Sequence, residues 1–195
     1  MNATLDLERQ KYWKLWKHKA YRQNSPGQML AAYFRANVQW QRGDTLVDLG
    51  CGTGRAGALL GLKGFKVTLI DFVDALDDDI RRSTPFIEMN LCQLEGLPVF
   101  DWIYCADVME HIPPEYVDQT LDGMARITRK GGIFSISHKL DGYGKLVNER
   151  LHLTIQNSSW WGQKLLDRWE LPKSEPGTGA SIYIVGKPRE RFYNA

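Results

Sequence analysis

Short apolar runs of strand length alternate with longer amphipathic stretches from residue 45 onward, and this switching of period is the strongest regularity in the chain. Residues 45–49 are β-branched and aliphatic, and from Arg55 to Leu60 helix formers with an apolar face take over. Four further runs read as strands: 65–70, closed by Asp71, then 86–89, 102–106 and 133–137. Between them, 73–82 carries Asp74, Asp77, Asp78 and Asp79 and reads as a solvated loop with a short helix. It lacks the ligand order of a calcium loop. Residues 91–100 leave room for only a short helix or an extended crossover. Pro113 and Pro114 end one turn and start a helix over 115–127, and Lys130-Gly131-Gly132 reads as the turn into the fifth strand. Ser158-Ser159 is the expected cap of a helix over 160–169, and 181–185 is the last strand, after a turn at 176–179. Strands alternating with helices predict an α/β fold with a doubly wound, mostly parallel sheet.

The first 44 residues stand outside this alternation. Residues 5–22 predict a helix with Leu5, Tyr12, Trp13, Leu15 and Trp16 among its apolar positions, interleaved with Arg9, Lys11, Lys14, Lys17, Lys19 and Arg22. Ser25-Pro26 is a helix start and predicts a second helix over 27–40. The expected organisation is a single domain, 1–195, with 1–44 as a helical extension and 45–195 as the α/β core. The extension has two readings: an amphipathic helix docked by its tryptophans with a solvated basic face, or a lid whose charge attracts an anionic substrate.

Composition narrows this picture without changing it. At 195 residues, 43% hydrophobic and 25% charged, the chain can bury a sizeable core, and a net charge of +2 gives bulk electrostatics no pull toward nucleic acid or a membrane surface. The first ten residues have no apolar export region, and no later segment approaches a membrane span. Cys51, Cys92 and Cys105 show no paired spacing, which fits free thiols in a reducing, cytoplasmic compartment.

The candidate chemistry starts at Asp48-x-Gly50-x-Gly52-x-Gly54, between the first strand and its helix. Glycines at alternate positions let the backbone turn tightly and approach a ligand, and the helix start offers free N–H groups. The dinucleotide fingerprint would place its third glycine at Arg55, which disfavours a nicotinamide-dependent oxidoreductase. An acid before the first glycine suits a ligand carrying an ammonium and a sulfonium. An acid at the end of the second strand, Asp71, is placed to accept both ribose hydroxyls. Phe72 can cover an adenine face, and Asn90, after the third strand, can meet the adenine amino group.

The run Val47-Asp48-Leu49-Gly50-Cys51-Gly52-Thr53-Gly54 resembles the first motif of the class I S-adenosylmethionine-dependent methyltransferases. So do Leu97-Pro98-Val99-Phe100-Asp101 and Glu110-His111-Ile112-Pro113, and the resemblance runs from about Asp44 to Ser137. It implies a Rossmann-like sheet in the order 3-2-1-4-5-7-6 with an antiparallel last strand. It also implies S-adenosylmethionine as cofactor, held by Asp48, Gly50, Cys51, Gly52, Gly54, Asp71, Phe72, Asn90, Leu91 and Asp107. The expected reaction is methyl transfer to an oxygen or nitrogen of a small-molecule or sugar-like acceptor. The alternatives are a non-catalytic module that senses or sequesters the cofactor and an RNA 2'-O-methyltransferase.

Candidate catalytic residues are Glu110, His111, His138 and His152, all beyond the fourth or fifth strand and so on the ligand edge of the sheet. Asp107, Glu110 and His111 also fall at i, i+3 and i+4, and with His138 they form a candidate divalent-metal site. The similarity here is to the E-x-x-E-H arrangement of small-RNA 2'-O-methyltransferases and a ubiquinone-pathway O-methyltransferase, with aspartate in the first position.

Overall fold

The computed structural model describes residues 3–24, 27–170 and 173–192. The Ser25-Pro26 helix start lies outside the described residues. In chain order come α1 (Ala3–Leu15), α2 (Lys19–Gln23), α3 (Gly27–Asn37), β1 (Thr45–Leu49), α4 (Arg55–Leu62), β2 (Lys66–Asp71), α5 (Asp78–Ser83), β3 (Phe86–Glu88) and β4 (Phe100–Ala106). After these follow α6 (Val117–Arg126), β5 (Thr128–Ser137), α7 (Ser158–Leu166), β6 (Lys173–Pro176) and β7 (Ala180–Val185). The seven strands form one sheet in the order β3-β2-β1-β4-β5-β7-β6. The first five pair in parallel, while β7 runs antiparallel to both β5 and β6.

Side chains alternate across each strand, so neighbouring residues feed opposite faces. Leu46, Leu69, Trp102, Tyr104 and Ile133 pack with Leu30, Phe34 and Leu60 of α3 and α4. Val47, Ile70, Ile103, Cys105 and Phe134 pack with Leu121, Met124, Trp161 and Leu165 of α6 and α7. A third, smaller cluster of Tyr12, Leu15, Val73 and Leu151 lies at the ligand edge and joins α1 to two loops. Among the described residues, no helix is long and apolar enough to cross a membrane.

Several expected boundaries move for identifiable reasons. The helix expected over 5–22 breaks after Leu15, where Lys17 and His18 donate to carbonyls three residues back, and restarts as α2. The break turns Trp16 and Tyr21 toward each other, with ring centroids 4.6 Å apart. The expected turn at Lys130-Gly131-Gly132 is strand: β5 begins at Thr128, and the β4–β5 register shifts between Phe100 and Trp102. Glycine is required there because Gly131 has φ +142° and a Cβ would sit 2.2 Å from the Val185 carbonyl oxygen. Asn157 caps α7 in place of Ser158-Ser159, its side chain accepting from the Trp160 N–H, and the helix stops at Leu166, not Trp169. The helix expected over 27–40 ends at Asn37, and that over 115–127 opens with a 3₁₀ turn at Pro114–Tyr116. Pro176, expected in a turn, closes the edge strand β6.

Candidate functional site

The glycine turn between β1 and α4 is fixed by its own hydrogen bonds. Gly50 and Cys51 donate to the Ile70 carbonyl at 2.8 and 3.1 Å, and the Gly52 N–H donates to Asp71 Oδ2 at 2.9 Å. Gly50 and Gly52 both have positive φ, +72° and +52°. A Cβ on Gly50 would lie 2.5 Å from Val108, and one on Gly52 2.6 Å from the Trp16 ring, so both positions demand glycine on conformation and on space. Gly54 caps α4 and faces Leu76 and Ile80, placing it behind the turn and outside the cavity lining.

That turn floors a cavity of about 450 Å³, a volume typical of small-molecule sites. Asp48, Gly50, Cys51, Gly52, Asp71, Phe72, Asn90, Leu91 and Asp107 all line it. Asp71 is buried, and its second oxygen accepts from the Val73 N–H at 3.1 Å, so each carboxylate oxygen keeps a lone pair for a ligand. Asn90 Oδ1 accepts from the Cys92 N–H at 2.9 Å and likewise keeps one. Burial pushes the Asp71 carboxyl up to about 6 and the Asp48 carboxyl up to about 7, against the backbone N–H groups that favour the charged forms. Asp48 Oδ2 is buried without a hydrogen-bond partner.

The opposite wall is assembled from distant segments. Asp107 directly follows β4, with φ +54°, and accepts from Ser135 Oγ at 2.8 Å. A 3₁₀ turn, Met109–His111, follows. The Glu110 carbonyl accepts the N–H groups of Leu153 and Thr154 at 2.8 and 3.0 Å, and Thr154 Oγ1 donates to the Ile112 carbonyl at 2.7 Å. These bonds bring His152 beside His111, with ring centroids 4.6 Å apart. Glu110 is fully buried; Oε1 accepts from the Ser137 N–H at 2.9 Å and Oε2 has no partner. Burial first, then the nearby Asp107 charge, raises its carboxyl to about 8. Burial, reinforced by His152, lowers His111 to about 3, so its imidazole is neutral across the physiological range.

Among the described residues, Glu110, His111 and His152 are the group whose potential metal-ligand atoms converge, all within 4.8 Å of one another. The expected set held Asp107 and His138 in place of His152. Asp107 is turned to Ser135, and His138 lies outside the cavity lining, its backbone N–H donating to the Gly179 carbonyl and its Nε2 buried without a partner. No spacing rule ties residue 111 to residue 152; the link is the loop pairing on the Glu110 carbonyl.

Tyr12, Trp16 and Tyr21, from the extension expected to form a lid, line the cavity as well, together with Tyr143 and Lys139. The aromatic positions of the N-terminal segment were the available signal. Of its basic residues, Lys11 turns inward to the Arg150 carbonyl and Glu8, Arg9 reaches Glu88 and the Phe72 carbonyl, and Arg22 pairs with Asp77. Lys14, Lys17 and Lys19 are exposed, and none of the six lines the cavity.

Comparison with known proteins agrees with this geometry. The methyltransferase-domain family matches residues 47–136. Ubiquinone biosynthesis O-methyltransferase of Rickettsia typhi is 31% identical over 102 residues, covering 47% of this chain and 39% of that protein. The chain thus spans about two fifths of the length of the curated relatives it matches. In fold, it is similar to 1,6-didemethyltoxoflavin-N1-methyltransferase of Burkholderia thailandensis, solved with its substrate and S-adenosylhomocysteine. That likeness has a TM-score of 0.66 at 19% identity and covers 86% of this chain and 80% of the other. The N-methyltransferase NodS of Bradyrhizobium japonicum, solved with S-adenosylhomocysteine, gives a TM-score of 0.61 at 14% identity over 85% and 90% of the two chains. With its motif run in register on a sheet of order 3-2-1-4-5-7-6, the chain carries the methyltransferase-domain match over residues 47–136 on a fold shared with solved methyltransferases.

Proposed function

We propose that this chain binds S-adenosylmethionine in the cavity above the glycine turn and transfers its methyl group to an oxygen or nitrogen of a small-molecule acceptor. The observation that carries this reading is the coupling of Gly52 to Asp71: one carboxylate shapes the turn and still offers lone pairs to ribose hydroxyls. Asn90 and Leu91 would meet the adenine beside Phe72, and Gly50 and Cys51 the methionine portion. The sulfonium would face Asp107 and the Glu110–His111–His152 wall. An acceptor lone pair attacks the methyl carbon, the C–S bond breaks toward S-adenosylhomocysteine, and the acceptor's proton passes to a basic group on that wall. His111 and His152 are the proposed groups; Glu110, which burial keeps largely protonated at neutral pH, stands beside them.

Charge bears on the acceptor. Glu8, Asp71, Asp107 and Asp141, with Asp48 partly ionised, line the cavity against Lys139, which favours a neutral or amine-bearing acceptor over an anion. A cavity of this size, with the basic residues of α1 and α2 outside its lining, favours a small molecule over RNA. The polar wall at Glu110, His111 and His152 favours an enzyme over a cofactor-sequestering module.

A divalent ion on that wall is the second reading, favoured by the unpartnered Glu110 Oε2 next to two imidazoles. One carboxylate oxygen and two ring nitrogens fit a borderline ion such as Zn²⁺ or Mn²⁺. Such an ion, when bound, lowers the pKa of an acceptor hydroxyl. The deciding experiment is calorimetry of S-adenosylmethionine binding, followed by methyl release over hydroxyl and amine acceptors in EDTA, with and without Mg²⁺, Mn²⁺ or Zn²⁺. Absent cofactor binding overturns the methyltransferase reading. Binding without turnover of any acceptor supports the sequestering module, and full turnover in EDTA removes the metal.

A further inference from the structure

Tyr12 belongs to α1, outside the α/β core, yet its hydroxyl lies 2.6 Å from His111 Nδ1, 99 positions away in the chain. The same ring nitrogen is 3.1 Å from the Leu151 carbonyl oxygen. A carbonyl can only accept, whereas a tyrosine oxygen can accept and donate. Both neighbours are therefore served when Nδ1 carries the hydrogen and Nε2 keeps a bare lone pair. In the other tautomer, Tyr12 would donate to Nδ1, but the Leu151 carbonyl would face a nitrogen lone pair.

The surroundings hold this arrangement in place. Tyr12 is buried, its ring tilted on Phe72 at 5.4 Å and edge-on to His111 at 5.6 Å. The preceding residue, Lys11, donates to the Arg150 carbonyl at 2.8 Å. Two consecutive residues of α1 thus grip both the carbonyl-bearing segment and the histidine.

We infer that Tyr12 is a positioning residue for methyl transfer: docked α1 sets its hydroxyl on His111 Nδ1 and, with the Leu151 carbonyl, holds the ring so that Nε2 presents its lone pair to the acceptor. This rests on the proposed methyltransferase function. It also makes α1 more than a cover, because the basic nitrogen is correctly presented only when the helix is seated.

The test combines Tyr12→Phe, which keeps the ring and removes the hydroxyl, with ¹⁵N NMR of the histidine ring nitrogens in the full chain. In the wild type, His111 is expected to show protonated Nδ1 and bare Nε2; in Tyr12→Phe the Leu151 carbonyl still favours that tautomer, but the ring loses one of its two anchors and its nitrogen resonances should shift and broaden. The variant should bind S-adenosylmethionine within about twofold of wild type by calorimetry while kcat falls at least roughly tenfold and the acceptor KM is little changed. A wild-type His111 protonated at Nε2 overturns the inference whether or not the variant folds. So does an unchanged kcat with unchanged His111 ring-nitrogen resonances, or a loss of cofactor affinity that accounts for the whole loss of rate. If the wild type fails to bind the cofactor, the function reading falls, while the NMR result still reports separately on the Tyr12–His111 geometry.

Discussion

The two walls of the cavity are built in different ways. The donor wall, from β1 through the glycine turn to β2, is local in sequence and made largely of backbone: its tolerances are Cβ clearances of 2.5 and 2.6 Å at Gly50 and Gly52. The acceptor wall joins α1, the 3₁₀ turn Met109–His111 and the segment around His152 through side-chain and loop bonds such as Tyr12–His111 and Lys11 to the Arg150 carbonyl. A wall of backbone is intolerant of small covalent changes. A wall of tethers tolerates them but responds to the loss of a single bond.

The largest effect is expected where the donor wall is tightest. Gly50→Ala forces a left-handed φ on a residue with a Cβ and drives that atom into Val108, at a cost of about 3 kcal/mol, or roughly 150-fold in cofactor affinity. Gly142→Ala is the counterpart on the acceptor wall. It lines the cavity, a Cβ there meets nothing within 4 Å, and affinity should change by less than about twofold. Equal calorimetric losses in the two variants would dissolve the contrast.

Asp71→Asn comes next, with S-adenosylmethionine affinity lower by about 2 kcal/mol, because a charged acceptor is lost and an amide N–H is set against the Gly52 or Val73 N–H. Asp48 and Asp71 also predict a pH effect on the cofactor-free protein. Their folded pKa values are raised, to about 7 and about 6, so the folded chain holds protons that the unfolded chain releases above the ordinary carboxylate range. Their contribution to stability is present at low pH and is lost as pH rises through those values. Urea unfolding from about pH 5 to about pH 8 should show Asp48→Asn losing less stability than wild type, by on the order of 2 kcal/mol. Parallel curves would show that Asp48 is not the source.

A smaller effect belongs to the tethers. Asp77 binds Arg22 at 2.7 Å and Arg55 at 2.6 Å, clamping α2 to the start of α4 from a partly exposed position. Asp77→Ala should weaken cofactor binding by about 1 kcal/mol, and the difference from wild type should shrink in high salt. The smallest effect is expected from Lys14→Gln with Lys17→Gln. Both lysines are exposed and outside the cavity lining, and acceptor KM should stay within about twofold of wild type at low salt. A clear rise in KM would restore the picture of a basic lid steering an anion.

The same division explains what could be read from the sequence. The strand cores, the glycine turn and Asp71 were legible because a few adjacent residues carry the whole signal: period, φ and close approach. Lys130-Gly131-Gly132 misled because glycines that serve a turn also serve a bulge, and only the Val185 carbonyl opposite Gly131 distinguishes the two. His138 was chosen over His152 for the metal set because it directly follows β5. What brings His152 beside Glu110 and His111 is the hydrogen bonding of Leu153 and Thr154 to the Glu110 carbonyl, a tertiary event with no trace in spacing. Tyr12 was visible as an apolar position of a helix. Its polar end acquires meaning only through a histidine 99 positions away.

The two rims of the sheet bear on how the protein behaves when crowded. An open sheet exposes unpaired amide and carbonyl groups along its outer strands, and these invite pairing with another chain. Here β3 is only three residues long, and β6 runs exposed through Lys173 and Glu175 to Pro176, which has no N–H to offer. A charged, proline-ended strand at one rim and a very short one at the other give a foreign strand little to extend, so the sheet's own ends work against aggregation at high concentration.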